Sequence, residues 1–340
     1  MGAPLVLSDY LVGRAEQTTF GTGAADATAA EKLAVDIEFP EIGVNWRKTT
    51  GNSAARYADI LDIIVNNYGL LPRFTLSGVA RMKDIDQHLY SWFQNVVEGD
   101  GPLFTKTFTM AAMQPDFAAN AGQFVTYWFK SPTASTSLKL IDCVCANLTI
   151  TCDPGNIMTF SAEYVSRGAV DIDANPSGTW TGIPVNVFDY HKQCKYTANI
   201  AGGGANTLGL AGGWSLNFTQ DVTGYGQNGT GGHEGYVLNN RVITFTTKGL
   251  IGTVEQSLRV ALQAGSYVDM VIGWDGDGDD DAAKDAIGDF VFEFQMMQQK
   301  QKLTSDVPIG NEITGEIIGT QSSSKAPITV TLLTGADRNW

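Results

Sequence analysis

Arg73-Phe74-Thr75-Leu76-Ser77, followed by Asp84, Ile85, Leu89, Trp92, Phe93 and Val96, sets a pattern. It returns 169 residues later as Val242-Ile243-Thr244-Phe245-Thr246, followed by Thr253, Val254, Leu258, Ala261, Leu262 and Gly265. Phe74, Leu76, Gly78 and Ala80 share one face of an alternating strand, with Thr75 and Ser77 on the other. Asp84 with Gln87 three residues on reads as a capping box. The apolar set after it has helical spacing, and Gly99 is expected to stop the helix. Thr253 and Gln256 take the same cap positions in the second copy. A chain built twice from one strand-plus-helix unit points to assembly rather than to a single catalytic cleft.

Outward from the first copy, strands are expected at Phe104–Met110, Phe124–Lys130, Leu138–Thr151 and Ile157–Ser166, the last two joined by a turn at Asp153-Pro154-Gly155-Asn156. The long strand alternates, with Leu140, Asp142, Val144, Ala146, Leu148 and Ile150 on one side and Cys143, Cys145, Asn147 and Thr149 on the other. Upstream, Leu33–Phe39 and Val44–Thr50 read as extended, and Ile60, Ile63 and Ile64 give Arg56–Tyr68 a helical spacing. Around the second copy, strands are expected at Trp214–Gln220, Tyr267–Trp274, Phe290–Leu303 and Glu312–Gly319, with a Gly/Asn/Thr loop over Gly224–Gly235. The turn Pro308-Ile309-Gly310-Asn311 matches the earlier one. Each half closes on a proline-led strand, Pro184-Val185-Asn186-Val187 and Pro327-Ile328-Thr329-Val330. Residues 1–32, rich in Ala, Gly and Thr, read as a flexible arm that orders against a neighbour.

Composition agrees with two β-rich units in 340 residues. The apolar fraction of 43% suffices for a core in each half, and the 38 glycines and few charges lean towards β-structure. Up to residue 180 there are 12 basic and 19 acidic side chains, and 10 and 17 after it, so each half carries −7 of the net −14. Such a surface repels phosphates and argues against a module that grips nucleic acid. Met1–Ala30 lacks a basic segment followed by an apolar block, so no signal peptide is expected. No apolar run of about 18 residues exists to span a membrane. The four cysteines are too few for a disulfide scaffold.

Several clusters invite a chemical reading. Asp275, Asp277 and Asp279 are spaced like the start of a calcium loop, but Asp280 stands where the turn glycine belongs and Ala286 where the bidentate Glu belongs. Cys143 and Cys145 lie two apart on a strand, and a metal would need Cys152 and Cys194 or others beside them. His88, on the expected polar side of the first helix, His191 and His233 are scattered, and Gly213-Trp214-Ser215-Leu216-Asn217 is not a nucleophile elbow. The glycines Gly202–Gly204 and Gly212–Gly213 lack a phosphate-loop context. Asn147, Asn217 and Asn228 sit in glycosylation triplets but follow no secretory signal. No catalytic, cofactor or metal residue is therefore assigned, and no cofactor is expected.

The strand and helix over Phe74–Val96, the run Leu138–Ile150, the hairpin through Gly155-Asn156 to Ala162-Glu163-Tyr164, and the series Trp214–Gln220, Val242–Ala264 and Phe290–Gln299 together resemble the tail tube (major tail) proteins of long-tailed bacteriophages. The likeness runs from about residue 33 onward and has no short invariant motif. It implies a mainly β chain of two tandem sandwich- or barrel-like domains, each flanked by one helix, over 33–188 and 189–340 after the arm at 1–32. It further implies rings of three chains with six similar domains, stacked into a hollow tube that conducts DNA without binding it specifically. The implied partners are copies of the chain, tail terminator, tail tip and tape measure proteins, with no membrane. The implied place is the virion tail, assembled in the host bacterial cytoplasm. The alternative from a different class is a calcium-dependent β-sandwich binding or adhesion module.

Overall fold

The computed structural model describes residues 10–24, 31–39, 45–51, 59–66, 71–99, 105–110, 115–131, 137–153, 156–167, 170–171, 181–182, 194–200, 205–207, 213–226, 233–250, 253–274, 290–303, 310–317 and 328–333. The chain is mainly β, and the described residues form two α-helices and one large, almost wholly antiparallel sheet. Strands β1 (Leu11–Glu16), β2 (Glu31–Leu33), β3 (Asp36–Glu38), β4 (Asn45–Gly51), β5 (Asp59–Asn66) and β6 (Arg73–Val79) lead into helix α1 (Met82–Phe93). Next come β7 (Val96–Glu98), β8 (Thr105–Phe108), β9 (Val125–Lys130), β10 (Leu138–Cys152), β11 (Thr159–Val165), β12 (Val170–Asp171) and β13 (Thr181–Gly182). The second half runs β14 (Cys194–Ile200), β15 (Ala205–Thr207), β16 (Trp214–Tyr225), β17 (Gly235–Leu250), α2 (Thr253–Gln263), β18 (Tyr267–Trp274), β19 (Phe290–Leu303), β20 (Gly310–Ile317) and β21 (Ile328–Leu333).

One order of pairing recurs. In the first half the ladders run β2, β1, β9, β10, β11, β6, β3. In the second they run β15, β14, β18, β19, β20, β17, β16. Each series meets its strands in the same chain order, with the helix after the sixth named strand of the first series and its counterpart in the second. Both long strands bulge at the matching place. The β10·β11 register shifts between Cys145 and Asn147, and β19·β20 shifts between Gln298 and Lys300. The long hairpin β16·β17 has a divided counterpart, β3·β6 and the separate two-stranded sheet β4·β5.

The halves share a core. The C-terminal part of β10 carries β11 on one edge and β16 on the other, and β21 pairs with β8. Phe218 of β16 lies with its ring 5.3 Å from Trp92 and 5.9 Å from Phe93 of α1. A continuous apolar cluster reaches from Val12 to Leu332. Such burial is the dominant favourable contribution to folding.

Several expectations are corrected. The arm expected over 1–32 is, in its described part, built into the sheet: β1 pairs with β9 over six positions, and Val12 and Arg14 are buried. The expected helix over Arg56–Tyr68 is strand β5 where described, because Ile60, Ile63, Ile64 and Val65 are β-branched and find a partner in β4. Helix α1 starts earlier, with Arg81 at the cap position, and stops at Gln94 in the left-handed region (φ 62°), well before Gly99. Asp84 does not cap it, because its side chain is buried against Arg14. His88 is not on a solvated face but buried, 1% exposed, because α1 is covered on more than one side. The strict alternation along β10 also breaks, since bulges leave Cys143, Val144, Cys145 and Ala146 all buried. Strands β16 and β17 run further than expected, into both ends of the Gly224–Gly235 loop. The acidic loop, the prolines Pro184 and Pro327, His191 and Gly202–Gly204 lie outside the described residues.

Candidate functional site at the junction of the halves

Bulges free backbone groups that must find other partners. At the first bulge of β10, Asp142 sits at φ 56°. Its N–H donates to Gln17 Oε1 at 3.0 Å, and its C=O accepts the Tyr236 hydroxyl at 2.8 Å. At the second bulge, the Cys145 N–H donates to Ser91 Oγ at 2.9 Å and its C=O accepts Gln220 Nε2 at 2.6 Å. Tyr236 and Gln220 belong to the second half, and Gln17 and Ser91 to the first. Each bulge is thus closed from both sides of the junction.

The Asp142 carboxylate organises the centre. It accepts from Gly21 N–H at 2.8 and 3.0 Å and from the Gln17 amide, and it lies 3.7 Å from Arg167 Nη1. Arg167 Nε donates to His233 C=O at 2.7 Å, and its guanidinium lies 5.5 Å from the Phe20 ring centroid. Gly21 is in the left-handed region (φ 83°), and a Cβ there would stand 2.5 Å from Arg167 Nη1. Phe20 also meets Phe124 and Tyr236 edge-on, beside Phe117, Val144, Val222 and Leu238. Burial raises the Asp142 carboxyl to about 6, against the opposing pull of the Gly21 N–H, Arg167 and Gln17.

A second polar group lies under α1. Arg14 Nη1 stands 3.3 Å from Asp84, and Arg14 Nη2 donates to Lys83 C=O at 3.0 Å. Lys106 Nζ pairs with Asp86 at 2.8 Å, both side chains buried. His88 Nδ1 lies 2.7 Å from the Tyr164 hydroxyl. Burial first, then Arg14, holds His88 well below its ordinary range, and burial pushes Tyr164 up. These groups are covered and paired with one another, two of the pairs as buried ion pairs. They fasten α1 to β1, β8 and β11.

Of the residues singled out in sequence, Cys143, Cys145 and Cys152 are buried. Burial raises Cys143 and Cys145 well above the usual thiol range. Among the described residues no three His, Cys, Asp or Glu side chains come together as a metal site, and no helix is long and apolar enough to cross a membrane. The residues Asp275, Asp277 and Asp279 lie outside the described part. The clamp of Gln17, Asp142, Arg167 and Tyr236 was missed by sequence reading. Its signal was a charge, Asp142, on the same side of a strand as Leu140 and Val144.

Comparison with models of known protein families finds no match, and comparison with curated proteins finds no significant one. Any functional reading therefore rests on the geometry above and on the resemblance drawn from the residues.

Proposed function

We propose that this chain is a self-assembling structural subunit, a tail tube protein of the long-tailed phage kind, whose two halves arose by tandem duplication. One observation carries the reading: strand β16 of the second half adds edge-on to β10 of the first, register Asn147↔Thr219 to Cys152↔Trp214. A unit that docks on its own likeness by sheet extension has the means to continue the series with further copies. Three chains then supply six similar units around a hole. Rings stack, DNA passes through, and other tail proteins cap the tube and set its length.

The net charge of −14 suits a conduit. A wall rich in Lys and Arg would exchange counterions for phosphates and hold the duplex. An acidic or neutral one leaves it mobile.

Electron microscopy of the purified, concentrated chain tests this, with mass measurement of the particles. Rings or tubes of three chains per layer are expected. Compact monomers under all concentrations and seeding conditions would sink the proposal, and loss of fold in chelator would move the reading to a calcium-dependent module.

A further inference from the structure

We infer that the outer edge of β3 in one copy pairs with the C-terminal edge of β19 in a second copy, as β16 pairs with β10 inside the chain. This names the contact behind the self-assembly proposed above and rests on that reading.

The register follows from two parallel chains of partners. Asn147 faces Glu163, Glu163 faces Thr75, and Thr75 faces Glu38. Lys300 faces Thr314, Thr314 faces Thr246, and Thr246 faces Ser215. Both chains start one residue past the matching bulge. Glu38 therefore holds the place of Ser215, Phe39 that of Leu216, and Leu303 that of Ile150. Inside the chain, Ile150 and Leu216 face each other and are fully buried. Leu303, its counterpart, is 48% exposed, a large apolar side chain on a strand end. Among the described residues, β3 is laddered only with β6, and β19 beyond Phe294 only with β18 and β20. The two free edges are thus the two ends of the same series.

Charge agrees with the pairing. On the outward face the internal seam is neutral, with Thr149 opposite Asn217 and Thr151 opposite Ser215. On the second seam, Lys302 takes the place of Thr149 and stands diagonal to Glu38, at a spacing long side chains bridge. Lys300, Lys302, Asp36 and Glu38 are all exposed. Phe39 of one copy covers Leu303 of the next.

Three readouts test the contact. Zero-length carbodiimide cross-linking of a mixture of unlabelled and nitrogen-15-labelled chains, followed by mass spectrometry, is expected to join Lys300 or Lys302 of one copy to Asp36 or Glu38 of another. Leu303→Asp is expected to leave the circular dichroism of the monomer unchanged and to lower assembly by at least about tenfold, which corresponds to about 1.4 kcal/mol per contact. Glu38→Lys and Lys302→Glu are each expected to weaken assembly, and the two together in one chain to restore it. Tubes that form with full yield in folded Leu303→Asp, with inter-copy cross-links elsewhere, overturn this contact but leave self-assembly standing. A wild-type chain that neither assembles nor cross-links between copies overturns both.

Discussion

Tyr236, from the second half of the chain, donates its hydroxyl to the backbone carbonyl of Asp142 in the first, at 2.8 Å. The phenol is buried, and its ring packs edge-on against Phe20 and Phe117. One residue therefore links the junction by both packing and polarity. In Tyr236→Phe the rings keep their contacts, but the buried carbonyl at the bulge loses its partner. A cost of about 1–2 kcal/mol is expected in urea unfolding, with an unchanged denaturant slope. An unchanged midpoint would show that the bulge does not depend on this bond.

The same bulge confers a pH dependence. The Asp142 carboxyl is raised from 3.8 to about 6 by burial. The folded state therefore binds its proton more tightly than the unfolded chain does. The contribution of Asp142 to stability is complete below about pH 3.8 and is lost as pH rises through about 6. Asp142→Asn cannot titrate. The stability difference between wild type and this variant should therefore move in favour of wild type as pH falls from 7 to 4, by up to roughly 3 kcal/mol. Paired urea titrations at these two pH values measure it, and a difference that stays flat excludes the raised carboxyl.

Gly21 is constrained twice, by its φ of 83° and by the Arg167 guanidinium 2.5 Å from where a Cβ would be. Arg167 has little freedom to retreat, because it is held by His233 C=O and faces Asp142. Gly21→Ala is expected to cost about 1–3 kcal/mol, read as a lowered thermal midpoint. A variant as stable as wild type would show the segment 17–22 to be detachable, as the sequence first suggested.

The cysteines yield a simple check. Cys143, Cys145 and Cys152 are buried, and for Cys143 and Cys145 burial and nearby carboxylates disfavour the thiolate that reacts. At pH 8 an aromatic disulfide reagent should leave Cys143, Cys145 and Cys152 unlabelled in the native chain and label all three after denaturation. Rapid labelling of these three in the native state contradicts this packing.

What the sequence made legible was whatever repeats with a regular period. Strand β6, helix α1 as a helix, and β9, β10, β18 and β19 follow from alternation and helical spacing, which depend on neighbours a few residues away. Residues 11–16 were misjudged because a short strand among Ala, Gly and Thr owes its order to β9, more than a hundred residues on. Strand β5 was misjudged because Ile60, Ile63 and Ile64 have helical spacing, while their β-branched side chains and the β4 partner make the segment a strand. The clamp at Asp142 was partly visible as a misplaced charge. Its partners Gln17, Arg167 and Tyr236 come from three distant segments, and no local pattern announces them.

The ion pair Lys106–Asp86 is held at 2.8 Å with both side chains 3% exposed, and Glu98 is 4.0 Å from the same ammonium. Removing two charges from water is costly, and their mutual attraction returns that cost only while both are present. Asp86→Ala leaves a buried lysine with one distant, half-solvated carboxylate and should cost about 3–5 kcal/mol. Replacing both, as Lys106→Met with Asp86→Leu, removes the stranded charge and fills the space with apolar atoms, so most of the loss should return. The comparison separates two uses of the pair. If the double variant folds as stably as wild type but no longer assembles, the pair serves to orient α1 against β8, beside the β21 ladder that joins the halves. If the double variant is as unstable as Asp86→Ala, the pair contributes net stability, and the desolvation argument fails at this site.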